Sequence, residues 1–124
     1  MNLTEASAFC RRWLPAWTGG VSAVNQLLSF YATDAFYSDP ARPSGITGRE
    51  ALRVHFAALL RVNPSWRWKV DEIFPTERGF VLKWNASLPR KDGVAEVKGI
   101  DIVEIKDDAI IRNEVYFDRA AAMP

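Results

Sequence analysis

The hydrophobic pattern of this chain changes its period once, close to Pro64. Before that point the apolar residues recur at spacings of three and four, which is typical of one buried face of a helix. After it they alternate with polar residues, which is typical of strands with one buried face. Because helical segments precede a run of consecutive strands, the sequence predicts an α+β fold with helices covering one face of an antiparallel sheet.

Three helices are predicted in the N-terminal half. Thr4 is a candidate cap for the first, Ser22 for the second, and Thr47 or Gly48 for the third, which closes at Asn63–Pro64. Their apolar faces are Ala6, Phe9, Cys10, Trp13, Leu14 and Trp17; then Val24, Leu27, Leu28, Phe30 and Tyr31; then Leu52, His55, Phe56, Leu59 and Leu60. A short strand over 35–39 separates the second helix from the third, and residues 41–45, rich in Pro and Gly, predict a loop.

Four strands follow in hairpin succession. They start near Trp66, Phe80, Val94 and Ile110, with turn residues between them, and Asp118 is a candidate cap for a short terminal helix. A strongly curved sheet with helices on one face would enclose a cavity. Since no repeat, low-complexity tract or linker interrupts the pattern, residues 1–124 predict a single domain.

Composition excludes several classes of partner. The 124 residues carry 16 Lys and Arg against 15 Asp and Glu, and no basic run predicts nucleic-acid binding. No apolar stretch or basic amphipathic stripe predicts membrane binding. One cysteine, Cys10, and one histidine, His55, cannot form a zinc site of the usual kind, so no metal or cofactor is expected. The N-terminus lacks the pattern of a signal peptide, which predicts a cytoplasmic protein.

Three segments carry a resemblance to a known family. Residues 28–40 (LSFYATDAFYSDP), 48–52 (GREAL) and 107–118 (DDAIIRNEVYFD) resemble NTF2-like proteins of the SnoaL-like and ketosteroid-isomerase-like kind, in the family's order and spacing. The resemblance implies a cone in which three N-terminal helices pack on a curved mixed or antiparallel sheet and enclose a pocket. It also implies a small apolar or aromatic ligand, which agrees with the five Trp, seven Phe and three Tyr of the chain.

Asp39 and Asp101 are the candidate catalytic residues. Asp101 lies within the apolar strand segment Gly99–Val103, where a charge is costly unless it is paired or protonated. By resemblance, Asp39 matches the general base of ketosteroid isomerases, and Asp101 matches the aspartic acid that those enzymes keep protonated in an apolar site. The alternatives are an Asx turn at Asp39 and, for Asp101, an exposed position or a cross-strand pair with Lys83 or Arg112.

Further side chains are expected to line the pocket: Trp13, Trp17, Tyr37, His55, Asn113, Val115 and Phe117. His55 is interpreted either as a core residue or as a pocket base and hydrogen-bond partner of an aspartate. Trp13 stands where ketosteroid isomerases have a tyrosine, and Val115 stands where the related epoxide hydrolases have an aspartate. Both differences argue against those two activities in the strict sense.

Two functional hypotheses remain open from the sequence. The first is a cofactor-independent isomerase or other proton-transfer enzyme acting on a small apolar carbonyl compound. The second is a non-catalytic module of the same fold that binds a hydrophobic ligand or serves as a dimerisation domain. With either function, Ile100 and Ile102 on the strand face opposite Asp101 predict a homodimer through the outer face of the sheet.

Overall fold

The computed structural model describes residues 1–62 and 66–122, so the predicted helix end at Asn63–Pro64 lies outside the described residues. The helices are α1 (Leu3–Trp13), α2 (Val24–Leu28), α3 (Arg49–Val62) and α4 (Arg119–Ala122), with short 3-10 helices at Leu14–Thr18 and Val21–Ala23. The strands are β1 (Tyr31–Asp39), β2 (Arg42–Thr47), β3 (Arg67–Pro75), β4 (Gly79–Arg90), β5 (Gly93–Lys106) and β6 (Ala109–Phe117). The predicted α+β class is confirmed.

The strands form one mixed sheet in the order β2-β1-β6-β5-β4-β3. All neighbours are antiparallel except β1 and β6, which pair in parallel. The sheet is open, with β2 and β3 at its edges. Its concave side carries α1 to α3 and the core, so the alternating residues that point to that side either pack against helices or face the space left between them.

The first helix begins slightly earlier than its predicted cap. Asn2, not Thr4, is the N-cap: its side chain accepts a hydrogen bond from the Glu5 amide at 2.8 Å, and the Glu5 carboxylate accepts one from the Asn2 amide at 3.0 Å. This reciprocal arrangement satisfies two amides that the first turn leaves without helical partners. At the other end of the chain, Asp118 caps α4 as predicted, accepting from the Ala120 amide at 3.0 Å.

Residues 42–47 form strand β2, and the prediction of a loop there was wrong. Pro43 is tolerated because β2 is an edge strand, so no second neighbour requires its missing N–H. Gly45 is needed because its φ is +88° and a Cβ there would come within 2.3 Å of the Phe36 ring. The glycine that suggested irregular structure therefore lets the edge strand lie flat against an aromatic side chain.

Tyr31, predicted at the end of the second helix, is the first residue of β1. The helix stops at Leu28, and the Ile110 amide then donates to the Phe30 carbonyl at 2.8 Å. Parallel pairing with β6 follows directly, with Tyr31 opposite Ile110. Long-range pairing thus outweighs the helical spacing of Phe30 and Tyr31, a competition that local periodicity does not reveal.

The core lies between the helices and the concave side of the sheet. Its largest fully buried side chains include Trp13, Tyr31, Phe9, Phe56, Phe80 and Trp84. Burying an aromatic side chain of this kind contributes roughly 2 to 3 kcal/mol relative to exposure, so these rings dominate the stability of the fold. Among the described residues, no helix has the length and apolar character needed to cross a bilayer.

Candidate functional site

An internal cavity of about 110 Å³ lies at one end of the concave side. Its lining residues are Leu14, Trp17, Tyr37, Asp39, Ala41, Leu59, Leu60, Trp66, Trp68, Leu82, Trp84, Asp101, Val115, Phe117 and Arg119. An apolar cavity of comparable size, about 150 Å³, holds one benzene molecule. This space therefore matches a ligand of about one ring and is smaller than the sites of drug-sized molecules, which start at about 300 Å³.

Four aromatic rings form a closed ring of contacts in the cavity wall. Trp68 meets Trp84 edge to face with centroids 4.7 Å apart, and Trp84 meets Phe117 at 5.8 Å. Trp66 closes the ring, with centroids 5.2 Å from Trp68 and 6.4 Å from Phe117. Aromatic faces and edges of this kind can hold a flat apolar ligand or an organic cation.

The Asp101 carboxyl group lies within this aromatic wall. The indole N–H of Trp84 donates to Oδ1 at 2.7 Å, and the Asn113 side-chain amide donates to Oδ2 at 3.0 Å. The Tyr31 hydroxyl in turn donates to Oδ1 of Asn113 at 2.7 Å, which fixes the orientation of that amide. Asp101 is only 6% exposed, and Lys83 and Arg112 form their ion pairs with other acids. The interpretations of Asp101 as an exposed residue or as a cross-strand ion pair were wrong.

Burial raises the pKa of Asp101 from 3.8 to about 6, against the opposing effect of the Asn113 and Trp84 hydrogen bonds. Two neutral donors stabilise the carboxylate, but they do not replace the water that an exposed carboxylate would have. Since one pKa unit corresponds to about 1.4 kcal/mol, the protein penalises the ionised form by roughly 3 kcal/mol. Asp101 is therefore an acid that changes its charge close to neutral pH.

Asp39, at the end of β1, is held very differently. Its Oδ1 accepts from the Ala41 and Arg42 amides, each at 2.9 Å, which is the predicted Asx turn and joins β1 to β2. Its Oδ2 accepts from the Tyr37 hydroxyl at 2.8 Å and lies 2.8 Å from Nε2 of His55. All four acceptor positions of this carboxylate are therefore occupied.

The pKa of Asp39 is lowered from 3.8, because the hydrogen bonds from His55 and Tyr37 and from the Arg42 amide together outweigh desolvation, the largest single influence. A carboxylate can only accept, so Nε2 of His55 carries the proton in this contact. The same surroundings raise the pKa of Tyr37, chiefly by burial and then by the nearby Asp39 charge. Two carboxyl groups that line one cavity thus have pKa values displaced in opposite directions.

A family model described as the SnoaL-like domain matches residues 10–113. The chain belongs to the SnoaL-like family. No curated protein sequence matches this SnoaL-like domain significantly.

Many solved structures match this fold, and the following three are distant in sequence. A SnoaL-like protein of unknown function from Burkholderia thailandensis is 18% identical, with a TM-score of 0.77 over 95% of this chain and 98% of that one. A hypothetical protein with a ketosteroid isomerase-like fold from Catenulispora acidiphila, in complex with trimethylamine, is 18% identical and has a TM-score of 0.74. The match covers 94% of this chain and 93% of that one. TerC co-crystallized with polyporic acid is 17% identical and has a TM-score of 0.69, and the match covers 88% of this chain and 90% of that one. These likenesses confirm the predicted NTF2-like fold.

The side chains predicted for the pocket of this SnoaL-like domain fall into three groups. Most line the cavity, two lie directly behind its lining, and one belongs to the core. Trp17, Tyr37, Val115 and Phe117 line it, together with Asp39 and Asp101. His55 and Asn113 lie behind the lining and contact it through the two carboxyl groups. Trp13 is fully buried and packs against Phe9 and Phe80, so it belongs to the core and does not line the cavity.

Trp84 and Tyr31 are the important residues of the site that sequence reasoning missed. The position of Trp84 could have been found from the register of the β4–β5 hairpin, which closes with Arg90 opposite Gly93. Counting back from that turn places Trp84 opposite Gly99, two residues before Asp101. Tyr31 carried no such signal, because its position depends on the parallel pairing of β1 with β6. Arg119 and Trp68 also line the cavity without having been predicted.

Metal ligation has no support in the described part of the chain. Across residues 1–62 and 66–122, no three His, Cys, Asp or Glu side chains come close enough together to hold a metal ion. The groups available for chemistry at the cavity are the two carboxyl groups, the Tyr37 hydroxyl and, at the surface end, the exposed Arg119.

Proposed function

We propose that this SnoaL-like domain catalyses a cofactor-independent proton transfer on a small, mostly apolar carbonyl compound. The observation that carries the proposal is that two carboxyl groups line one apolar cavity, Asp101 with two neutral donors and Asp39 with four donors. Their different surroundings displace the pKa upward for Asp101 and downward for Asp39. Such a pair supplies a neutral acid and an ionised base at the same pH. The cavity volume fits a ligand of about one ring.

Asp101 is assigned the hydrogen bond to the carbonyl oxygen. In its protonated form it can donate to an oxygen that gains negative charge as a proton leaves the neighbouring carbon. Trp84 and Asn113 keep the carboxyl group in place while it does so, since each holds a different oxygen. The aromatic ring of contacts gives this side of the cavity an apolar surface, which strengthens the hydrogen bond relative to one made in solvent.

Asp39 is assigned the role of general base. Its existing hydrogen bonds impose one requirement on this role. Its four acceptor positions are filled, so a substrate must displace one donor before Oδ2 can take a proton. The Tyr37 hydroxyl is the side-chain donor that itself lines the cavity, whereas the other Oδ2 partner, His55, lies behind the lining. The C–H bond then breaks with its proton on Oδ2, and its electron pair forms the enolate. Oδ2 returns a proton to the same carbon, and that carbon takes up deuterium when the Oδ2 proton exchanges with deuterated water before the return.

The test is exchange of the protons beside the carbonyl of single-ring ketones such as cyclohexanone in deuterated water, followed by NMR. Each of Asp39→Asn and Asp101→Asn is expected to slow exchange by about a hundredfold or more, the usual contribution of a positioned acid or base. Asp34→Asn, an exposed aspartate of the same strand, is the matched control. Exchange that is equally fast in the wild-type protein and in both site variants would rule out the assignment.

A second candidate function is non-catalytic binding of a small organic cation. It is favoured by the aromatic ring of contacts around the Asp101 carboxyl group, an arrangement suited to methylated ammonium groups. The relative from Catenulispora acidiphila was solved with trimethylamine. The exposed Arg119 at the cavity is less favourable to a cation.

The pH dependence of binding separates the two candidates. A carbonyl ligand needs protonated Asp101, so its affinity falls as pH rises through about 6. A cation needs ionised Asp101, so its affinity rises over the same range. The measurement is calorimetric titration with cyclohexanone and with tetramethylammonium at pH values on both sides of 6. The ligand that binds is identified by whether its affinity falls or rises as the pH increases.

We further propose a homodimer through the outer face of the sheet. Tyr116 is 50% exposed there, and it lies opposite Ile100, which is 36% exposed. Neighbouring polar groups are already paired, since the Arg112 guanidinium contacts both Glu104 and Glu114. Analytical ultracentrifugation is expected to give a dimer that Ile100→Glu converts to a monomer; a monomeric wild-type protein at high concentration would contradict the proposal.

A further inference from the structure

A second concavity lies on the surface, between β3 and the first helix with its following 3-10 turn. It is a groove of about 520 Å³, lined by Ser7, Cys10, Arg11, Leu14, Pro15, Thr18, Arg67, Trp68, Val70 and Ile73. Its volume falls within the range of about 300 to 1,000 Å³ that small-molecule sites occupy. The groove and the internal cavity share Leu14 and Trp68, so these two side chains separate them.

The charge of the groove is unbalanced. Arg11 and Arg67 line it, while none of the described residues in its lining is acidic. Both arginines are exposed, and the ion pairs found among residues 1–62 and 66–122 include neither of them. The Arg67 guanidinium donates to the Trp66 carbonyl at 3.1 Å, which leaves most of its N–H groups free to bind an anion.

Apart from the arginines, the groove is largely apolar, with Ser7 and Thr18 as its hydroxyl side chains. Leu14, Val70 and Ile73 contribute aliphatic surface. The indole nitrogen of Trp68 is buried and finds no hydrogen-bond partner within the described residues. Trp68 also lines the internal cavity, so its side chain borders both spaces.

We propose that this groove is a second binding site, specific for small amphipathic carboxylic acids. The apolar part of such a ligand lies along Leu14, Val70 and Ile73, and its carboxylate lies between Arg11 and Arg67. The internal cavity differs, because two carboxyl groups and one arginine, Arg119, line it, so it lacks the groove's excess of positive charge. The groove proposal therefore stands whether or not the cavity catalyses proton transfer.

The test uses octanoate, below its micelle concentration, with octanamide as the uncharged match. Calorimetry on the wild-type protein is expected to show octanoate binding that Arg11→Gln/Arg67→Gln weakens by about tenfold, the effect expected for the loss of two exposed charged contacts. Arg61→Gln/Lys98→Gln removes two charges from other exposed positions and is expected to leave binding unchanged. Octanamide binding, if measurable, is expected to be equal in all three proteins.

A second readout places the ligand. In NMR spectra the indole N–H signal of Trp68, assigned with Trp68→Phe, is expected to shift on octanoate addition, and Asp101→Asn is expected to leave the affinity unchanged. Three results would each overturn the proposal: no binding of octanoate, equal loss of affinity in the control double variant, or an affinity that changes with Asp101→Asn. The last result would place the acid in the internal cavity instead.

Discussion

The indole N–H of Trp84 donates a 2.7 Å hydrogen bond to Oδ1 of Asp101 across the β4–β5 pair. The two residues are diagonal neighbours, since Trp84 lies opposite Gly99 and Asp101 lies opposite Leu82. Trp84 is an uncharged donor, so this hydrogen bond positions the Asp101 carboxyl group among the aromatic side chains. Asp101 can still gain or lose its proton. The acidity of the site and part of the stability of the protein depend on this hydrogen bond.

Removing the Trp84 donor is expected to make Asp101 a weaker acid. In Trp84→Phe the carboxylate loses one of its two side-chain hydrogen bonds while remaining buried, so its pKa is expected to rise above 6, by about one pH unit. NMR titration of the Asp101 side-chain carbon, assigned with Asp101→Asn, measures this.

Trp68→Phe is the matched control for that experiment. It removes another indole from the same ring of contacts, but one whose N–H has no partner within the described residues. A pKa of Asp101 that moves equally in both variants would mean that the indole dipole or ring size matters, and not the hydrogen bond.

The stability of the protein is expected to depend on Asp101 between about pH 4 and 7. The folded-state pKa is raised to about 6 from 3.8, so the protonated form is favoured by folding and its contribution is lost as pH rises through 6. The difference in free energy of unfolding between wild type and Asp101→Asn is therefore expected to shift by about 3 kcal/mol in favour of the variant over this range. Urea denaturation at a series of pH values measures it, and a constant difference would contradict the prediction.

Tyr37→Phe is expected to free one acceptor position of Asp39. The variant loses the 2.8 Å hydrogen bond to Oδ2 but keeps the His55 contact and both backbone amides. The pKa of Asp39 is therefore expected to rise, because a hydrogen bond that lowers it is gone. If Asp39 is the base, proton exchange of a bound ketone is expected to stay within about tenfold of wild type or to increase.

The outcome that contradicts this assignment is a loss of exchange similar to that of Asp39→Asn. Tyr37 would then take part in the transfer itself. Tyr116→Phe, which removes a half-exposed hydroxyl from the outer face of the sheet, is the control for the substitution.

Gly99→Ala is expected to destabilise the protein although alanine is normally preferred over glycine in strands. A Cβ at Gly99 would lie 2.3 Å from Cζ2 of Trp84, so the indole must move and its hydrogen bond to Asp101 weakens. A loss of about 1 to 3 kcal/mol in the free energy of unfolding is expected, together with a higher pKa of Asp101.

A double-mutant cycle tests this explanation. In a Trp84→Phe background the smaller ring leaves room for the methyl group, so Gly99→Ala is expected to cost less than it does alone. Equal costs in the two backgrounds would show that Gly99 is required for a reason other than the position of Trp84.

Much of the fold could be predicted from local sequence. The change of period near Pro64 indicated the helices and the four long strands, and strand alternation correctly placed Val97, Asp101 and Val103 on the buried side. The same alternation placed Asn113 and Val115 on the buried side of β6. These features depend on near neighbours in the chain, for which spacing is a direct physical constraint.

Other features were decided only by tertiary structure. The strand at Arg42–Thr47 exists because β1 offers it hydrogen-bond partners, and β1 begins at Tyr31 because β6 pairs with it in parallel. The donors to Asp39 come partly from the adjacent turn and partly from His55 on a helix. The alternation of residues along a strand does not predict that the helix brings His55 within hydrogen-bond distance of Asp39.

The sequence by itself determined that Asp101 would be a carboxyl group in an apolar strand and that Asp39 would end the first strand at a turn. Only the tertiary structure decided their charges, because pKa values depend on desolvation and on donors brought from distant segments. For Asp101 those donors are Trp84 and Asn113, and for Asp39 they include His55. Residue order supplied the groups, and packing gave one an elevated pKa and the other a lowered one.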